Sequence, residues 1–338
     1  MKLKPISILP LLLFLFLLFP LMVEAQEYAK PKSGDGINSF LLRHGRRGRA
    51  AYNEFIELNK RKLGKKNSLL LGVSYQLPAK TKTAKPAPSL GTTINEPLFG
   101  SKYSKVVVKN NRLRGACFYI VSGHGGPDPG AIGKIGKREL HEDEYAYDIA
   151  ARLARNLMEE GAKVYLIIQD AKDGIRDVQY LGNSKRETCM GAAIPLNQVE
   201  RLKQRTNKIN SLYANDKKIY SYCRAIFLHL DSRSHKKQID VFFYHNKNNP
   251  KSLALANTLR RTFEKKYQRH QPNRGFTGTV SARNLFVLSK TQPTSVFVEL
   301  GNIQNSFDQR RFLVYSNRQA LANWMREGFI QDYQNNSK

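Results

Sequence analysis

The segment ACFYIVSGHGGPDPGAIG, residues 116–133, joins an apolar run to a loop rich in glycine, proline and aspartate. A continuous apolar run bounded by such a loop is typical of a strand that is buried on both faces of a sheet. The loop carries one histidine, His124, which could simply hydrogen-bond the turn. Its glycine spacing does not match the loops that bind phosphates. The role of His124 therefore depends on which other residues lie near it.

The sequence after this segment alternates between helical and strand-like patterns. Helices are predicted over residues 142–159, 196–214, 251–267 and 317–334. The further predicted strands are AKVYLII (162–168), RAIFLHL (224–230), IDVFFYH (239–245), LFVL (285–288) and SVFVEL (295–300). This alternation predicts an α/β fold, with a mostly parallel, twisted sheet and helices on both faces.

Polar residues end or follow three of these strands. His124 comes after the first strand, His229 lies near the end of RAIFLHL, and Glu299 lies near the end of SVFVEL. In parallel sheets the functional residues gather beyond the carboxyl ends of the strands. We therefore expect these three side chains to converge.

The helix that begins at residue 142 contributes a fourth candidate. Its apolar stripe consists of Ala146, Ile149, Ala150, Leu153 and Leu157. Glu142 lies four residues before Ala146 and so heads the face turned toward the core. By the same spacing, Glu144 shares a face with Asp148 and Arg152, and we expect that face to be solvated.

Two histidines and one carboxylate are a common ligand set for catalytic zinc, which keeps one position for water. A second carboxylate that does not bind the metal is what such a site needs as a proton acceptor. Each of the four residues has an ordinary alternative explanation, such as a helix cap or a salt bridge. Their convergence at strand ends favours one site. None of the three cysteines lies in a CxxC pair, so a thiolate site is not expected.

Four motifs resemble those of the zinc-dependent N-acetylmuramoyl-L-alanine amidases of the Amidase_3 type. They are, in chain order, GHGGPDPGAIG, HEDEYAYDIAARLARNL, FLHLDSR and VFVELGNIQNSFDQRRFL, and the resemblance covers residues 116–334. It implies that His124, Glu142 and His229 bind one Zn²⁺ ion and that Glu299 is the catalytic acid/base. It also implies cleavage of the amide between N-acetylmuramic acid and L-alanine in peptidoglycan, during wall remodelling or daughter-cell separation.

Two other functions share part of this pattern. A zinc peptidase acting on peptidoglycan stem peptides would use the same metal chemistry and would differ only in its substrate groove. A non-catalytic wall-binding protein would typically lack one of the four residues, and none is missing here. The chain does depart from the family after His229, where LDSR replaces the usual small residue and asparagine, which puts substrate contacts there in doubt.

The first 25 residues have the three parts of a secretory signal peptide: lysines, an apolar run from Ile6 to Val23, and a small residue at the exit, Ala25. We expect cleavage after Ala25 and export to the periplasm or cell envelope. A retained anchor is the alternative, because the run is just long enough to span a bilayer. No later segment is apolar for long enough, so we expect no stable membrane anchor after cleavage.

The chain is strongly basic, with 56 lysines and arginines against 27 acidic residues and a formal net charge of +29. Such a charge indicates an anionic partner, and nucleic acid is the usual candidate. Export argues against nucleic acid. The remaining candidates are cell-wall polymers, lipid headgroups and peptidoglycan, whose glycan strands and stem peptides are the partners we expect.

Residues 77–97, LPAKTKTAKPAPSLGTTINEP, have the composition of a linker and divide the chain. We expect a small α+β unit over 27–79, a linker over 80–100 and the catalytic domain over 101–338. The small unit has two helical patterns and a closing strand in LLLGVSYQLP (69–78). It resembles a LysM module in its GD start, its ELN helix end and its closing G-x-x-Y-x-L-P. That resemblance implies binding to glycans that contain N-acetylglucosamine.

Overall fold

The structure, a computed structural model, describes residues 26–46, 48–78, 88–231 and 238–336. The predicted signal peptide over 1–25 and residues 80–87 of the predicted linker lie outside the described residues. The chain divides into two compact units, Met1–Thr83 and Ala84–Lys338. Within the described ranges, no helix combines the length and apolarity needed to cross a lipid bilayer.

The small unit contains two short strands and two helices: β1 (Tyr28–Ala29), α1 (Ile37–Arg43), α2 (Gly48–Asn59) and β2 (Tyr75–Gln76). The strands pair antiparallel, and the helices bury Phe40 and Phe55 around Tyr75. Asn59 ties the end of α2 to β2, because its amide forms two 2.8 Å hydrogen bonds with the backbone of Gln76. The closing strand is shorter than predicted and spans only two of residues 69–78.

Among its described residues, the large unit contains six α-helices: α3 (Glu142–Glu159), α4 (Gln198–Asp216), α5 (Pro250–His270), α6 (Phe286–Lys290), α7 (Ser306–Leu313) and α8 (Tyr315–Asn336). The strands of its main sheet are β5 (Ala116–Ser122), β8 (Lys163–Leu166), β12 (Tyr222–Asp231), β13 (Phe242–His245), β14 (Thr279–Ala282) and β15 (Thr294–Asn302). Its other strands are β3 (Thr93–Asn95), β4 (Lys105–Val107), β6 (Ile132–Ile135), β7 (Arg138–His141), β9 (Ile168–Gln169), β10 (Thr188–Cys189) and β11 (Ala192–Ala193).

The six strands of the main sheet lie in the order β14, β13, β15, β12, β5, β8. Every neighbouring pair is parallel except β13 and β15, which run antiparallel. The predicted mostly parallel sheet is therefore confirmed. β5, β12 and β15 occupy the interior of the sheet, so the residues at their carboxyl ends lie side by side.

Helices cover both faces of this sheet, as the apolar strands predicted. Phe118 and Ile120 of β5 pack in a cluster with apolar residues of α3, α5 and α8. Tyr119 and Val121, which point to the opposite face, pack with residues of α4 and α6. Alternating side chains of one strand therefore contribute to two separate cores, which explains why the strand is apolar at every position.

Helix α3 departs from the predicted pattern on one face. Its apolar stripe is buried as expected, but Glu144, Asp148 and Arg152 are buried too. Asp148 pairs with Arg152 at 2.8 Å and with the fully buried Arg318 of α8 at 2.6 Å. Glu144 pairs with Arg176 at 2.8 Å. The prediction that Glu144 is solvated is wrong, because α8 and the segment around Arg176 cover the polar face and satisfy its charges.

The strand predicted at residues 285–288 is wrong. Residues 285–288, LFVL, were expected to form a strand, but Phe286–Lys290 is a short helix that buries Val287 and Leu288. A four-residue apolar run has no period that distinguishes a buried helix from a strand.

The hairpin of β6 and β7 was not expected. It turns at Gly136, which has a φ of 57° that glycine adopts without strain.

Candidate active site

A pocket of about 330 Å³ opens at the carboxyl ends of β5, β12 and β15. His124, Glu142, His229 and Glu299 all line it, together with residues of α4 and α6. The structure thus brings the four sequence-predicted residues into one cavity. Glu142 and Glu299 are each 4% exposed, so both carboxylates lie at its buried floor.

His124 is placed by the turn that follows β5. Its φ is +56°, a left-handed conformation that is uncommon for a residue other than glycine. The Arg205 guanidinium donates a hydrogen bond to its carbonyl oxygen, and the Gly125 N–H donates to the Asp128 carbonyl at 2.7 Å. The preceding residue must be small, since a Cβ on Gly123 would lie 2.4 Å from Cε1 of His229.

Glu142 is the point at which the site residues meet. Its Oε1 lies 2.9 Å from His229 Nδ1 and accepts the Leu230 N–H at 3.0 Å. Its Oε2 lies 3.2 Å from His124 Nε2 and accepts the Ala131 N–H at 2.8 Å. The first residue of α3 is therefore held by the loop between β5 and β6 and by β12.

The charges around Glu142 shift the pKa values of the site residues. Burial acts to lower the pKa of His124, but the Glu142 and Asp128 carboxylates outweigh it and raise that pKa to about 10. Burial acts to raise the pKa of Glu142, but His124 and His229 hold it well below its usual range. The pKa of His229 is lowered, mainly by burial. The site thus combines a carboxylate anion with one imidazole that binds a proton readily and one that does not.

His229 and Glu299 are neighbours across the sheet. They pair in the parallel register of β12 and β15. The His229 ring also stacks on Phe297 with 4.3 Å between ring centroids. Because Phe297 and Glu299 are two residues apart on one strand, both point to the same face of the sheet. The apolar ring fixes the imidazole, and the carboxylate projects beside it.

The arrangement of donor atoms identifies a candidate metal centre. Among the described residues, two groups of three have ligand atoms that all lie within 4.8 Å of one another. One group is His124, Glu142 and His229, and the other is Asp143, Glu144 and Glu187. Of the two, only the first lines the pocket. Two imidazoles with one carboxylate is a donor set that suits zinc.

Three residues of the site were missed by sequence reasoning. Asp128 Oδ2 lies 2.9 Å from His124 Nδ1 and 2.8 Å from an Arg201 nitrogen. Arg205, one helical turn beyond Arg201 on α4, also lines the pocket. Asp128 could have been noticed four residues after His124 in the same loop. The two arginines carry no local signal, because basic residues on a helix are usually solvated.

Comparison with known proteins gives the following matches. Residues 119–331 match the Amidase_3 family, described as N-acetylmuramoyl-L-alanine amidase. No curated protein matches the chain. Among solved structures, an amidase of Nostoc punctiforme is 19% identical, with a TM-score of 0.46 and coverage of 65% of this chain and 98% of that one. The catalytic domain of the amidase CwlV of Bacillus (Paenibacillus) polymyxa var. colistinus is 18% identical, with a TM-score of 0.46 and coverage of 65% and 98%.

The contact between Asp128 and His124 yields a prediction. An ionised carboxylate only accepts hydrogen bonds, so Asp128 keeps the proton of His124 on Nδ1 and leaves Nε2 free to bind a metal. The substitution Asp128→Asn is expected to weaken zinc binding by about 10-fold to 100-fold. Competition with a chromophoric chelator measures this affinity. Glu200→Gln, an exposed change on α4, is the control, and equal zinc affinity in the two variants would contradict the role of Asp128.

Proposed function

Because the chain belongs to the N-acetylmuramoyl-L-alanine amidases of the Amidase_3 family, we propose that His124, Glu142 and His229 hold its catalytic zinc ion and that Glu299 transfers the proton. The family reaction is hydrolysis of the amide between N-acetylmuramic acid and L-alanine in peptidoglycan, and the chain is a hydrolase of this class. Family membership also decides against the stem-peptide peptidase and the non-catalytic binder. The observation that carries the residue assignment is the contact of the buried Glu142 carboxylate with both imidazoles.

The residues present fit a zinc ion. Their ligand atoms lie within 4.8 Å of one another. Two imidazole nitrogens and one carboxylate oxygen are the kinds of donor that zinc binds. Zinc, when bound, polarises a carbonyl oxygen and makes water more acidic.

The chain's own groups prepare the site for this chemistry. Backbone N–H groups of Ala131 and Leu230 fix both oxygens of Glu142. Asp128 and Phe297 orient the imidazoles of His124 and His229 respectively. These contacts hold the proposed ligands in position in the absence of substrate.

Glu299 is the remaining carboxylate of the pocket. Its register beside His229 and its place in the pocket lining support a role next to the proposed metal ligands. We assign it the transfer of a proton from the attacking water to the nitrogen of the leaving alanine. Transfer by one carboxylate in both directions leaves the enzyme unchanged after each turnover.

Two isosteric substitutions separate the proposed roles of the glutamates. Each removes one negative charge from the same pocket. Glu299→Gln is expected to keep its zinc and to lose turnover by about 100-fold or more, because a positioned acid/base contributes at least that much. Glu142→Gln is expected to lose zinc together with turnover. The measurement is metal content beside the rate of hydrolysis of a muramoyl-peptide. If Glu299→Gln loses its zinc while Glu142→Gln keeps it, the roles of metal ligand and proton-transfer group are assigned to the wrong glutamates.

For the small unit over 27–79 we propose a LysM-like role in binding peptidoglycan glycans. Two helices against a two-stranded antiparallel sheet support this interpretation. The unit also exposes apolar side chains that could contact a sugar ring, with Tyr28 50% exposed and Leu71 66% exposed. The signal-like residues 1–25 support export, which would place the unit beside the wall that it binds.

Deleting residues 27–79 from the mature protein tests this proposal. Binding to insoluble peptidoglycan is expected to weaken, while hydrolysis of a soluble muramoyl-peptide is expected to continue, because the four site residues all lie after the linker. Cosedimentation at about 0.5 M salt suppresses adhesion by the basic surface alone, since that concentration shortens the screening length to a few ångströms. Unchanged binding at this salt concentration would contradict the glycan-binding role.

A further inference from the structure

Two arginines on one face of α4 form a wall of the active-site pocket. Arg201 and Arg205 are four residues apart, and both line the cavity that contains Glu142 and His229. Arg201 has a counter-ion, since one of its nitrogens lies 2.8 Å from Asp128 Oδ2. The environment of Arg205 is different.

Arg205 is only 4% exposed, and its Nη2 donates a hydrogen bond to the carbonyl oxygen of His124. Its Nε is buried without a hydrogen-bond partner among the described residues. Within the described ranges its guanidinium forms no ion pair, whereas Arg201 on the same helix pairs with Asp128. The guanidinium offers five N–H donors, so most of them are not used by the protein.

The charge of Arg205 is therefore without a carboxylate in direct contact. A guanidinium does not lose its proton at neutral pH, so the charge is permanent. The nearby Cys189 thiol provides no counter-ion, because burial raises its pKa. Asp128 is already engaged by His124 and Arg201. Leaving a buried cation without a partner is unfavourable, unless a ligand supplies the anion.

The pocket is where the substrate enters, so the missing anion can come from the substrate. The scissile amide joins muramic acid to a stem peptide. The lactyl carboxyl group of the muramic acid forms this amide, so it is not a free carboxylate. The stem peptide carries free carboxylates. The one nearest the scissile bond is the α-carboxylate of a second residue that is linked through its γ-carboxyl group. A planar guanidinium matches a carboxylate through two parallel hydrogen bonds.

We propose that Arg205 binds this stem-peptide carboxylate and makes the enzyme selective for substrates in which it is free rather than amidated. The inference rests on the proposed function, because it assigns Arg205 to the peptide side of the same reaction. Arg205 is then a specificity-determining residue, and its bond to the His124 carbonyl links peptide recognition to the turn that places the imidazole.

The test uses two soluble substrates, N-acetylmuramoyl-L-alanyl-D-isoglutamate and its amide, N-acetylmuramoyl-L-alanyl-D-isoglutamine. The ratio of their kcat/KM values is measured for the zinc-loaded protein and its variants. This ratio does not depend on the fraction of active enzyme, so partial misfolding of a variant does not distort it. The unsubstituted protein is expected to prefer the free carboxylate by about tenfold or more, given the strength of hydrogen bonds between charged groups.

Arg205→Gln is expected to abolish this preference, mainly through a higher KM for the carboxylate substrate. Arg205→Lys keeps the positive charge but lacks the planar guanidinium, and it is expected to retain a reduced preference. Lys203→Gln removes the same charge from an exposed position on the same helix, where the lysine pairs with Glu200 at 2.9 Å. This control is expected to retain the full preference.

Three results would overturn the inference. If the unsubstituted protein hydrolyses both substrates with equal kcat/KM, the enzyme does not recognise the carboxylate. Equal losses on both substrates in Arg205→Gln would show that Arg205 acts only on the His124 turn. Hydrolysis of neither substrate by the zinc-loaded, unsubstituted protein would contradict the proposed function itself, and the inference with it.

Discussion

The carboxylate of Glu142 is the junction on which the site depends. A buried carboxylate costs several kcal/mol unless hydrogen bonds and opposite charge compensate it. Here the compensation comes from the backbone of Ala131 and Leu230 and from the rings of His124 and His229. These partners belong to separate segments of the chain, and they meet only when the sheet, the hairpin of β6 and β7 and the first turn of α3 are all in place. The candidate metal centre is therefore a consequence of the complete fold rather than of one motif.

Charge is arranged in layers around this junction. Positive and negative groups alternate here: Arg201 pairs with Asp128, and Asp128 contacts the imidazole of His124. The anionic floor of the pocket suits a metal cation, whereas the cationic α4 wall suits an anionic substrate. The strongly basic composition of the chain agrees with an anionic wall polymer as substrate.

The sequence was sufficient to predict the sheet and the meeting of His124, Glu142, His229 and Glu299 in one cavity, because both follow from general rules. Strands buried on both faces are apolar throughout, and functional residues collect at their carboxyl ends. The error at Glu144 has a physical cause, since helical periodicity shows which face is polar but not whether Arg176 and Arg318 will cover it. Arg205 could not have been predicted, because its importance lies in a missing counter-ion that becomes visible only when the chain is folded.

X-ray absorption at the zinc edge of the zinc-loaded protein tests the central claim most directly. Coordination by His124, Glu142 and His229 predicts a shell of nitrogen and oxygen atoms in which the scattering pattern of two imidazole rings is visible. The chain also has three cysteines and seven histidines, so other ligand sets are chemically available. A sulfur atom at about 2.3 Å, or a third imidazole in the shell, would contradict the assignment.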